Sequence, residues 1–154
     1  MKRLQDKVAL VFGAGSSGPG WGNGKAAAVA YSREGAVVVA VDQVKAAAQE
    51  TADYISAEQG QALAVQADVT STGAVQEAGA QAIAAYGRID ILHNNVGITV
   101  MGGAQELDEA MWHRSMDINV GSVYRTCKAV LPHMICQGRG AIVNISSLAS
   151  IRWT

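Results

Sequence analysis

KVALVFGAGSSGPGWGNGKAAAVAYSR (Lys7–Arg33) decides the fold. It passes from an apolar run, Val8–Phe12, through a loop that is half glycine, Gly13–Gly24, into an alanine-rich pattern that closes before Gly35. A short apolar run without polar alternation, ending in glycine, is the pattern of a strand covered on both faces. Glycine just past the last helical position is a natural helix stop. The local reading is strand, glycine loop, helix. That order sets the free amides of a helix N-terminus where an anion can meet them.

Outward from this unit the alternation repeats. AVVVAVD (Ala36–Asp42) reads as a second buried strand, and Val44, Ala48, Thr51 and Ile55 then recur at helical spacing until Gly60. ALAVQAD (Ala62–Asp68) makes a third strand, and Thr70 and Ser71 can cap a helix running to Tyr86. IDILHN (Ile89–Asn94) is a fourth strand. A long helix is predicted from Asp108 to Ile135, with a break near Asn119, and AIVNIS (Ala141–Ser146) follows as a fifth strand. Five apolar strands separated by helices predict an α/β fold, a doubly wound parallel sheet with helices on both faces. Residues 1–154 read as one domain.

Composition narrows the function. With 49% hydrophobic and 16% charged residues the chain is globular, and a net charge of −1 gives no basic footprint for nucleic acid or anionic lipid. No segment is long and apolar enough to span a membrane, and the run Val8–Phe12 is too short for a signal peptide. Cys127 and Cys136 have neither zinc nor redox spacing, so they read as reduced core thiols of a cytoplasmic protein. His93, His113 and His133 show no ligand spacing, and no metal is expected.

The loop admits several ligands at first. A triphosphate loop would need a hydroxyl after Gly24-Lys25, and the residue there is Ala26, so no magnesium ligand is available. Gly13-Ala14-Gly15-Ser16-Ser17-Gly18 fits the dinucleotide pattern G-x-G-x-x-G, a weak signal in so glycine-rich a stretch. Asp42 strengthens it. A carboxylate ending the second strand can accept both ribose hydroxyls of an adenosine and repels a 2′-phosphate, which favours NAD over NADP.

With these residues in view the chain resembles the classical short-chain dehydrogenase/reductase family along its whole length. The family's glycine loop corresponds to Gly13 and then Gly22-Asn23-Gly24, with Gly15 also inside the loop. "ADVT" (Ala67–Thr70) is similar to the strand end that receives adenine, which assigns Asp68 to the adenine edge and Val69 to its face. "NNVG" (Asn94–Gly97) resembles the family's N-N-A-G motif and brings Asn95 and Gly97 into the expected cofactor site. "DINVGSVYRTCKAVLPHM" (Asp117–Met134) is similar to the long interface helix and carries Asn119, while "GAIVNISS" (Gly140–Ser147) looks like the strand leading to the catalytic serine, Ser147.

The resemblance implies an NAD-dependent oxidoreductase acting on a small carbonyl or alcohol, and a homo-oligomer. Ser147 would hydrogen-bond the substrate oxygen, with Ser146 as the alternative should the register slip by one. Asn119 would open the helix and hold a water for proton relay. The alternative is a catalytically inactive dinucleotide-binding protein. Two departures stand out. Gly13 to Gly22 spans more positions than the family pattern, so Ser16–Trp21 should bulge outward, with Trp21 packed over neighbouring backbone and not stacked on cofactor. The family's Tyr-x-x-x-Lys, expected after Ser147, lies beyond Thr154, so the chain reads as an N-terminal portion, with AIVNIS left as a sheet edge. Tyr124 and Lys128 do share a helix face, but they precede the fifth strand and read as surface or interface residues.

Overall fold

A computed structural model describes residues 2–18 and 20–148. Its strands are β1 (Val8–Phe12), β2 (Val37–Asp42), β3 (Ala62–Gln66), β4 (Ile91–Asn94) and β5 (Ala141–Asn144). The helices between them are α1 (Asn23–Arg33), α2 (Lys45–Ala57), α3 (Thr72–Tyr86), α4 (Glu109–Met116) and α5 (Ser122–Gln137), with a π-helical turn at Asp117–Gly121 joining the last two. All neighbouring strands pair in parallel, in the order β3-β2-β1-β4-β5. The doubly wound sheet expected from the sequence is the one observed.

Successive residues of a strand point to opposite faces, and each face of β1 finds its own core. Leu10 and Phe12 join Val39, Val41 and Leu92 under α3 and α5, against Val75, Ala78, Ala82, Val130 and Met134. Ala9 and Val11 join Val38 and Ala40 under α1 and α2, against Ala28, Val29 and Ile55. The smaller residues on the second face let α1 approach closely. Burial on both sides is why β1 and β2 carry no polar alternation.

β5 pairs with β4 alone and forms one edge of the sheet, as expected for AIVNIS, and there Ala141, Val143 and Asn144 are exposed and Ile142 only partly covered. One expectation needs correction. Of the two cysteines, both free, Cys127 is partly buried but Cys136 is exposed, because it lies on the outer side of the last turn of α5 and not in the core.

The long helix breaks where asparagine predicted it would. An asparagine amide competes for backbone groups and is a poor interior helix former. Here Asn119 sits inside the π turn, which inserts a wider loop of backbone without ending the helix.

Candidate cofactor site

The carboxyl-terminal ends of the strands open on a single cleft of about 940 Å³. It lies where the sheet order reverses, between β1 with its crossover to β2 and β4 on the other side, the place at which open α/β sheets take ligands. Gly13, Gly15, Gly22, Asp42, Asp68, Val69, Asn95 and Gly97 all line it. Gly24 does not, because it is buried beneath the loop.

The glycine loop is built around the Gly13 carbonyl. Gly13 has φ +75°, a conformation that suits glycine, and it turns the chain out of β1. A Cβ at Gly24 would lie 1.8 Å from the Gly13 oxygen, so α1 can pack against the turn only with glycine there. The Asn95 side-chain amide donates to the same oxygen at 3.1 Å, tying the end of β4 to the end of β1. Gly18, the last glycine of the literal G-x-G-x-x-G, has nothing near its Cβ position and packs no helix. Gly24 takes that role, as the family register implied.

Gly15 and Asp42 form the next link. The Gly15 N–H donates to Asp42 Oδ2 at 3.0 Å, and the Val44 N–H donates to Oδ1 at 3.0 Å. A Cβ on Gly15 would approach Asp42 Oδ2 to 2.8 Å and the Ala47 methyl to 2.6 Å, so the contact needs glycine. Behind it the buried Thr51 hydroxyl donates to the Ala14 carbonyl at 2.8 Å. The helical position Thr51 was read from spacing alone; its polar atom anchors the loop.

Asp68 accepts both the Thr70 amide and the Thr70 hydroxyl on Oδ1, at 2.8 and 2.7 Å. These bonds, backbone first, hold its carboxyl below the ordinary carboxylate range, with Arg125 and Arg114 adding a smaller pull in the same direction. Val69 is buried beside it. Its carbonyl accepts from Arg125, which also pairs with Asp117 at the start of the π turn. Sequence reading passed over this pair. Its signal was an acid and a base eight positions apart on one helical stretch, bracketing Asn119.

Asn119 reaches back to the loop after β4. Its Oδ1 accepts the Ile98 N–H at 2.8 Å, and its Nδ2 donates to the Ile98 carbonyl at 3.0 Å and to the Ser115 hydroxyl at 3.1 Å. The side chain thus fixes the Gly97–Ile98 wall of the cleft. Ser147 lies exposed beyond β5, two residues after Ile145, which lines the cleft. Ser146 is likewise exposed. Tyr124 is 64% exposed, with its hydroxyl 3.3 Å from Lys128 Nζ, and neither residue lines the cleft.

Comparison with known proteins matches this frame. The sequence model of the short chain dehydrogenase family matches residues 7–153, and the chain belongs to that family. It is 42% identical over 148 residues to 2-keto-3-deoxy-L-fuconate dehydrogenase of Xanthomonas campestris, a match covering 96% of this chain and 45% of the relative. To D-threitol dehydrogenase of Mycolicibacterium smegmatis it is 38% identical, covering 96% and 55%. A short-chain dehydrogenase/reductase structure from Burkholderia xenovorans superposes with TM-score 0.96 at 48% identity, over 99% of this chain and 61% of that one. A 7α-hydroxysteroid dehydrogenase solved with NADH and 7-oxo glycochenodeoxycholic acid superposes at 0.91 with 33% identity, over 99% and 57%. The chain spans about half the length of the curated relatives it matches.

Proposed function

We propose that the cleft binds NAD and that the protein carrying it is an oxidoreductase of the short-chain type, acting on a small carbonyl or alcohol. The observation that carries the reading is the Asp42 carboxylate, held by two backbone amides at the end of β2 on the cleft wall. Those amides fix its orientation and leave acceptor capacity for a pair of ribose hydroxyls. A fixed negative charge there disfavours a 2′-phosphate, and this supports NAD over NADP.

The rest of the cleft fits a dinucleotide. Helices α3 and α4 are capped by the side chains of Ser71 and Asp108, whereas α1, like α2, has no side-chain cap and no acid in its first turn. Its N-terminal residues Gly22 and Asn23 face the cleft, so backbone amides at the positive end of the helix can meet a pyrophosphate. Gly13, Gly15, Gly22 and Gly24 shape that approach, Asp68 and Val69 stand at the adenine end, and Asn95 and Gly97 stand beneath the path to the nicotinamide. When bound, the cofactor supplies or accepts the hydride. Ser147 would donate to the substrate oxygen. Asn119 positions the Ile98 loop through its side chain and opens the helix locally, where it would hold a water for proton relay.

Titration with NADH, followed by nicotinamide fluorescence, tests the binding: a saturable rise supports the reading, and none excludes it. Carbonyl-dependent oxidation of bound NADH by the protein carrying the cleft then tests turnover.

A further inference from the structure

The glycine loop holds more residues than the family pattern accounts for, and those on either side of its middle make specific contacts. Ser16 Oγ donates to the Gly20 carbonyl at 3.0 Å and accepts the Gly22 N–H at 2.9 Å. Trp21 comes immediately before Gly22, the residue that opens α1. Its ring meets Tyr54 of α2 edge to face, with centroids 4.9 Å apart and planes at 84°. Lys25 Nζ lies over the ring, 5.6 Å from its centroid, and Trp21 as a whole is half exposed. Lys25 belongs to the first turn of α1, is only 5% exposed, and is paired with Glu50 of α2 at 2.5 Å.

We propose that Trp21 is a positioning residue for cofactor binding: in contact with Tyr54 and Lys25, it fixes the angle at which the chain enters α1 and so aims the Gly22 and Asn23 backbone at the pyrophosphate. A side chain just before an N-cap that packs on the first turn of the helix sets that angle in helices generally. Here the contact also reaches α2, whose Ala47 lies beside Gly15 and Asp42, so the phosphate and ribose ends of the cleft share one support. Trp21 does not line the cleft and touches no reacting atom. This proposal rests on the reading of the cleft as a dinucleotide site.

The test separates orientation of the amides from simple loss of stability. ADP-ribose, which carries the pyrophosphate, and adenosine, which does not, are measured as competitors of NADH on the wild-type chain and on Trp21→Ala, Trp21→Phe and Tyr54→Ala. Trp21→Ala is expected to weaken ADP-ribose about tenfold while adenosine changes by less than about twofold, since misaimed donors lose affinity only for the group they meet. Trp21→Phe should recover most of the loss, and Tyr54→Ala, which leaves the loop sequence intact, should reproduce it in part. Equal weakening of both competitors, or no change in either, overturns the proposal. Should Trp21→Ala fail to fold, Tyr54→Ala and Trp21→Phe decide by the same ratio. Failure of the wild-type chain to bind NADH at all overturns the dinucleotide reading itself and this proposal with it.

Discussion

Asp42 Oδ2 accepts the backbone N–H of Gly15 at 3.0 Å, so the carboxylate that ends β2 is fastened to the loop that leaves β1. One contact joins the two features that sequence reading had used separately, the glycine loop and the acid roughly 20 residues after it. The fit leaves no room for a side chain at residue 15. Gly15→Ala should therefore displace Asp42 and weaken NADH binding about tenfold, while secondary structure by circular dichroism stays unchanged, as expected for overpacking confined to a site. Unchanged NADH affinity would show that the contact does not matter.

Gly24→Ala is the harsher substitution. Its methyl would overlap the Gly13 carbonyl oxygen, and backbone on both sides must move. Overpacking of this kind costs about 1–3 kcal/mol, and a lower thermal midpoint together with loss of NADH binding is expected. A variant with wild-type midpoint would contradict the packing described for α1.

Asn119→Ala removes the acceptor for the Ile98 N–H and the donor to the Ile98 carbonyl. Each group left unpaired costs about 1–3 kcal/mol if it stays buried. Hydrogen exchange at the Ile98 amide should accelerate markedly, and exchange in β1 should not change. Equal exchange at Ile98 in both chains would show that Asn119 does not hold the loop.

His93 gives a pH dependence. The residue is 4% exposed, Nδ1 lies 2.8 Å from the Tyr31 hydroxyl, and Nε2 has no hydrogen-bond partner among the described residues. Burial pushes its pKa below the ordinary 6.5, so below that pH the unfolded chain takes up a proton that the folded chain refuses. Stability from this residue is present above pH 6.5 and is lost as pH falls toward the folded pKa, with a slope of at most about 1.4 kcal/mol per pH unit. Urea midpoints at pH 7.5 and 5.5 measure the loss, and His93→Leu should reduce it. An identical pH dependence in the variant would remove His93 as the cause.

Much of this architecture was legible because burial imprints a period on sequence. Apolar runs marked all five strands, and the glycines that end elements marked the stops. The candidate site residues Gly13 and Asp42 stand at strand ends, where their positions follow from the alternation itself, while Asp68 was singled out by the family resemblance. Asn119 announced its π turn through a chemical preference that any helix must accommodate. Contacts between remote residues were not legible. Nothing in the loop says that Trp21 meets Tyr54, that Ser16 bridges Gly20 and Gly22, or that Thr51 holds Ala14.

The most direct measurement is the ratio of NADPH to NADH dissociation constants for the wild-type chain and for Asp42→Asn, which keeps the shape and removes the charge. At about 4 Å a carboxylate and a phosphate charge repel by about 4 kcal/mol near a protein surface, so NADH should bind the wild-type chain at least about tenfold more tightly. In Asp42→Asn the two constants should converge. Equal or tighter binding of NADPH by the wild-type chain would contradict the assignment of this cleft to NAD.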